Sequence, residues 1–85
     1  MATSLEWAQY YYLRDRIAEA VDEAIEDNGE WDDGGITVAI SPDLTEARAA
    51  FLPWWELGDV DGWNIETAHS VEEADEIAGM YFDLR

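Results

Sequence analysis

Apolar residues recur every three or four positions through the first third of the chain and again near its end, and they alternate over a short run between. Tyr10, Leu13, Ile17, Ala20, Val21, Ala24 and Ile25 fall on one stripe when about 100° is allowed per residue, while Asp15, Glu19, Asp22, Glu23 and Glu26 fall on the other side. Thr3 or Ser4 is a suitable N-cap and Asn28-Gly29 a suitable stop. The pattern predicts an amphipathic helix running to about Asp27 with an acidic outer face. Tyr11 and Tyr12 lie off the stripe, so at least one ring is expected to face solvent or another element.

Glu30 to Gly35 reads as an acidic turn, and Ile36-Thr37-Val38-Ala39-Ile40 alternates as a half-buried strand does. Ser41-Pro42-Asp43 turns the chain. Thr45 to Leu52 is ambiguous: its alanines favour helix, and Asp43-Leu44-Thr45-Glu46 spells a capping box. A helix there would leave two strands, and a stable sheet generally needs three, so the segment is read as a strand ended by Pro53. Gly58 to Gly62 turns into a third strand, Trp63 to Ala68. Ser70-Val71-Glu72-Glu73 is a capping box that opens a C-terminal helix. Its predicted buried face is Val71, Ala74, Ile77, Ala78, Tyr81 and Leu84, and its outer face Glu72, Asp75, Glu76 and Asp83. The expected fold is one α+β domain over residues 1–85, in the order helix, three-stranded antiparallel meander, helix (αβββα), with both helices on one face of the sheet. That order also occurs in double-stranded-RNA-binding domains, which need basic residues for phosphate.

Charge changes the picture most. Twenty-one carboxylates face four arginines and no lysine, a formal charge of −17 on 85 residues, against a magnitude of roughly 2–8 for most small domains. Acidic chains of low apolar content stay disordered, but 48% of this one is hydrophobic and 13% aromatic, enough to predict a folded core. The absence of cysteine excludes disulfides and thiolate metal sites and predicts an intracellular, or at least disulfide-independent, protein. Met1 to Trp7 has neither a basic region nor an apolar run, so no signal peptide is expected, and no stretch is apolar enough for a membrane span. Anionic membranes and nucleic-acid phosphate would repel the chain, whereas a basic surface would attract it.

Three groups of residues are candidates for function. The first is the acidic helix face Asp15, Glu19, Asp22, Glu23 and Glu26, continued by Asp27, Glu30, Asp32 and Asp33. Carboxylates three or four residues apart on a helix are separated by roughly 4.5–6 Å of rise, comparable to one or two steps of ~3.4 Å along a nucleic-acid strand. Such a row can imitate a phosphate ladder, although most charge runs are solvated faces. The second is the aromatic set Tyr10, Tyr11, Tyr12, Trp31, Trp54, Trp55 and Trp63, within which Trp54 and Trp55 beside Pro53 read as an exposed anchor able to receive arginine. The third is oxygen-rich: Asn28 to Gly34 and Asp59 to Gly62 offer hard ligands, but neither has EF-hand spacing, and no metal or other cofactor is expected. His69 is the sole histidine and reads as a turn residue; with no cysteine or lysine nucleophile, no catalytic role is expected.

In size, extreme acidity and helix-plus-sheet composition, the whole chain resembles small phage-encoded DNA-mimic proteins, the group that includes anti-CRISPR and anti-restriction proteins and the uracil-DNA glycosylase inhibitor. The resemblance implies a stoichiometric blocker without cofactor, acting in the host cytoplasm on the basic groove of a CRISPR effector, nuclease or similar enzyme, and binding no nucleic acid itself. Two other classes fit the same composition. One is an ordinary intracellular domain adapted to high salt, which screens self-repulsion, and the other an antitoxin-like acidic accessory subunit.

Overall fold

A computed structural model describes residues 3–82 and Leu84. Helix α1, Ser4–Asn28, starts at a capping box: Thr3 Oγ1 accepts the Glu6 amide at 3.1 Å, and the Glu6 carboxylate accepts the Thr3 amide at 3.2 Å. It ends at Gly29, whose φ of 84° is the left-handed conformation that closes a helix and whose N–H reaches the Ile25 carbonyl at 2.9 Å. At about 1.5 Å per residue a helix of this length extends ~37 Å, so α1 accounts for the longest dimension of the molecule, 39 Å. Leu13, Ile17, Val21 and Ala24 of the predicted stripe are buried, with Tyr10 and Ile25 packed at its margin.

Strands β1 (Ile36–Ile40), β2 (Ala47–Ala50) and β3 (Asn64–Ala68) form an antiparallel sheet in the order β2-β1-β3. The expected meander is therefore corrected: β3 pairs with the far side of β1, not with β2. The connection between β2 and β3, residues 51–63, is far longer than the two to five residues of a hairpin loop and carries the chain across the sheet. The residues that spelled a capping box before β2 build a turn instead. Buried Ser41 donates its hydroxyl to Asp43 at 2.7 Å and accepts the Thr45 and Glu46 amides at 3.1 and 2.9 Å, while Thr45 Oγ1 also donates to Asp43 at 2.7 Å. These bonds, the Ser41 hydroxyl first, hold the Asp43 carboxyl below its ordinary pKa.

Cross-strand pairing sets the faces. Ile36, Val38 and Ile40 share one face with Ala47, Ala49 and Ala68, and these pack with the α1 stripe and with Ala74, Ile77 and Ala78 in one core. Because the β2 residues turned toward the helix are alanines, α1 lies close against this edge strand. On the opposite face Ala39, fully buried, sits between Arg48 and Ile65. The 51–63 connection covers it, contributing buried Val60 and a 3₁₀ turn at Trp54–Glu56. Arg48 fastens that connection, its guanidinium lying 5.3 Å from the Trp63 ring centroid and donating to the Gly58 carbonyl.

The C-terminal helix is shorter than the pattern predicts. Ser70 Oγ accepts the Glu73 amide at 3.1 Å and starts α2, Val71–Glu76, which tightens to 3₁₀ over Ile77–Met80 and stops. Gly79 weakens the last turn, and Tyr81 leaves the helix to donate its hydroxyl to Glu66 of β3 at 2.8 Å. Ala74, Ile77 and Ala78 are buried as expected; Val71 is exposed, and Asp83 lies outside the described residues.

Burial, reinforced by the bond to Glu66 and its charge, pushes the Tyr81 phenol up to about 12 from 10.0. A raised phenol pKa means the folded state holds this proton more tightly than the unfolded chain. The stabilisation is complete below pH 10 and disappears as pH rises toward 12. Urea melts between these pH values should lose stability in the native chain, and Tyr81→Phe should remove that part of the slope.

Gly35 adopts φ 89°, and a Cβ there would stand 2.9 Å from the Ala68 carbonyl oxygen and 2.8 Å from His69 Nδ1. Gly29 has a similar φ but open space around it. Gly29→Ala should therefore cost only left-handed strain, about 1 kcal/mol or ~4–8 °C in Tm, while Gly35→Ala adds a steric clash and should cost roughly 3 kcal/mol. Thermal melts followed by circular dichroism give the comparison, and equal losses would refute the contact.

Candidate functional site

Asp15, Glu19, Asp22 and Glu26 stand on one outer line of α1 at successive spacings of four, three and four residues, which gives steps of roughly 6, 4.5 and 6 Å along a straight axis. All four are exposed, as is Glu23 beside them. Among the described residues one salt bridge forms, Arg16 Nη1 to Glu19 Oε2 at 2.9 Å. Arg48 is occupied beneath the 51–63 connection. Asp15, Asp22, Glu23 and Glu26 thus present uncompensated charge in an ordered row.

At its C-terminal end the row meets the acidic turn. Asn28 donates its side-chain amide to the Glu30 carbonyl at 2.8 Å, and Asp32 Oδ1 accepts the Gly34 amide at 2.8 Å, a local bond that shapes the turn and leaves Glu30, Asp32 and Asp33 exposed. Trp31 turns inward edge-on to Phe51, ring centroids 5.2 Å apart, and so ties the turn to the start of the 51–63 connection.

Two adjoining shallow depressions lie between α1 and β2, and a third opens past Phe51 and Leu52 beside Thr37 and Thr67, on the sheet face turned away from the helix. Glu23 and Asp27 line the first, about 260 Å³, with Ala47, Ala49 and Leu57. Asp27, Phe51 and Leu52 line the second, about 230 Å³. Asp32, Phe51, Leu52 and Pro53 line the third, about 380 Å³. Next in the chain after Pro53, on the turn that packs on β1, stand Trp54 and Trp55, 49% and 68% exposed, their rings edge-to-face at 5.9 Å.

The fold thus sets Glu23 and Asp27 on the α1–β2 side and Asp32 on the other side of Phe51 and Leu52, with the turn acids Glu30 and Asp33 adjoining Asp32 in the chain and Trp54 and Trp55 following Pro53 on the connection that covers the sheet face opposite α1. Asp15 lies about 18 Å from Asp27 along the helix and belongs to a separate end of the row. Pattern reading missed Leu52 and Leu57. The run Phe51-Leu52-Pro53-Trp54-Trp55, apolar without alternation, was the available signal. Of the other aromatics, Trp31 and Trp63 are spent on internal contacts, Tyr10 is half-buried, and Tyr11 and Tyr12 face solvent. His69 is exposed beside Gly35. Among the described residues no three His, Asp or Glu side chains converge as metal ligands, and no helix is long and apolar enough to cross a membrane.

Comparison with protein-family models, with curated proteins and with solved structures finds no match.

With one ion pair among the described residues, the carboxylates repel one another across the surface. Melting temperature should climb substantially as salt rises from about 0.01 to 1 M and the Debye length shrinks from roughly 30 to 3 Å. A flat response in differential scanning calorimetry would show that the carboxylates stand far enough apart to ignore one another.

Proposed function

We propose that this protein is an acidic DNA-mimic inhibitor that occupies the basic nucleic-acid-binding surface of a partner such as a CRISPR effector or nuclease. One observation carries the reading: the row Asp15, Glu19, Asp22, Glu26, exposed on a rigid helix and answered by a single arginine. Its spacing supports alternate engagement of arginines that normally hold phosphates, and its field supports fast, salt-sensitive encounter. Trp54 and Trp55 supply the desolvated aromatic anchors that give such complexes their lifetime. On this reading the protein is a stoichiometric blocker in the cytoplasm of the cell it acts in, not an enzyme, and needs no cofactor. Both helices then lie on one face of the sheet, an arrangement supported by their shared core with Ile36, Val38 and Ile40.

High-salt adaptation is the second reading. It draws support from exposed acids far from the row, among them Glu56, Asp59, Asp61, Glu72 and Glu76. A mimic depends on which acids it carries, whereas salt adaptation depends only on how many.

The discriminating experiment reverses Asp15, Asp22 and Glu26 to Lys and, in a second variant, reverses Glu56, Asp59 and Glu72. Each changes the charge by the same amount, and neither touches the core. Gel shifts of candidate CRISPR effectors and nucleases with their DNA are run with each protein. The native chain should displace DNA, the second variant should do so nearly as well, and the first should lose at least about a hundredfold in potency, as expected when several charged pairs of a docking surface are broken. Equal potency of the two variants would move the site off the helix row, and a stable complex of target, DNA and inhibitor would exclude occlusion of the groove.

A further inference from the structure

The outer side of α1 changes chemistry along its length. From Asp15 onward it is acidic, but over Ser4 to Arg14 the only charges are Glu6, held in the capping box, and Arg14, which offset each other. In their place Leu5 is 67% exposed, Trp7 38%, Tyr11 50% and Tyr12 53%. The chain's other end extends this surface: Met80, 61% exposed, lines a hollow with Trp7, Tyr10 and Phe82, and Phe82 reaches through to a second hollow beside Tyr12, whose far wall is Asp43, Leu44 and Thr45. Trp7 stacks on Tyr11 at 5.9 Å and meets Tyr10 edge-on, and Tyr10 meets both Tyr11 and Phe82 edge-on, so the rings form one pre-ordered cluster.

We infer that this aromatic end is a self-association surface on which a second copy of the chain docks. Two observations choose that occupant. First, the exposed parts of Leu5, Trp7, Tyr11 and Tyr12 amount to roughly 500 Å² per copy, so a symmetric pair that covers them fully buries at most about 1,000 Å², the size at which specific interfaces begin. Second, two chains of charge −17 approach most easily where carboxylates are fewest, and the first three turns of α1 carry only Glu6, offset by Arg14, on an otherwise acidic helix. An antiparallel crossing of the two helices near Ala8, whose small exposed side chain allows close approach, directs the acidic halves away from each other and leaves both rows open. The interface does not depend on the inhibitor reading, because the acidic row lies beyond it.

Salt should act on this contact in the opposite sense from a contact with a basic partner. Sedimentation velocity of the full chain at rising concentration should show the mass moving from 9.7 kDa toward twice that value, with the dimer fraction larger at about 1 M than at about 0.1 M salt as repulsion is screened. Tyr11→Ser combined with Tyr12→Ser should remain monomeric while keeping its helical circular dichroism. Because the chain has no cysteine, Ala8→Cys offers a second readout: mild oxidation should yield a disulfide-linked dimer, whereas Glu26→Cys, at the acidic end, should stay unlinked. A chain that stays monomeric at millimolar concentration in 1 M salt would overturn the inference. So would Glu26→Cys linking as readily as Ala8→Cys, or a double serine variant that dimerises like the native chain.

Discussion

Four buried side chains on one helical line, Leu13, Ile17, Val21 and Ala24, meeting Ile36, Val38 and Ile40 of the central strand, hold this protein together. Everything else follows from the narrowness of that contact. With almost no cations to answer its acids, the chain cannot take carboxylates inside, because an unpaired buried charge is far costlier than a solvated one. The core is therefore aliphatic and alanine-lined, and from Asp15 onward the outer face of the helix is left to charge. The same separation that permits folding at −17 creates an ordered acidic row, so the surface pattern and the core are two sides of one constraint.

Arg48 shows how sparingly positive charge is used. On β2, facing away from α1, it stacks on Trp63 and binds the Gly58 carbonyl, drawing the long connection over a sheet face that would otherwise expose Ala39. Arg16 is used locally on the helix surface. Neither is placed to neutralise the row beyond Glu19. Of these two cations, Arg48 serves packing and Arg16 balances a single carboxylate.

Much of the fold was legible because local chemistry and global placement agree. The Thr3 cap, the Gly29 stop and the stripe between them specify α1 almost to the residue, and alternation specifies β1. The β2 segment pitted alanine's helix propensity against the need for a third strand, and the Ser41–Asp43–Thr45 hydroxyl network settled it by building a turn where a helix would have begun. Strand order is not legible in periodicity, which carries no information about neighbours; only the length of the 51–63 connection points to β3 crossing over. The last turns of α2 were overextended because apolar spacing continues through Tyr81, although that ring is drawn to Glu66 instead. At the candidate site, exposure of the acids and of Trp54 and Trp55 was readable. The depressions were not, since they depend on α1, the acidic turn and Phe51-Leu52 meeting across distant parts of the sequence.

The strand order β2-β1-β3 leaves β3 with a partner on one side only, and β2 is just four residues long. Unpaired strand edges invite addition of further chains, and natural proteins commonly guard them with brevity or charge. Here the guard is mainly the collective charge, since no edge lysine or edge proline stands within β3. Such protection is conditional: near the isoelectric point of about 4.1 the carboxylates take up protons and the repulsion vanishes, while the open backbone groups of β3 remain. Acidification thus removes the charge that guards this edge without removing the edge itself, which makes low pH a colloidal hazard for the chain.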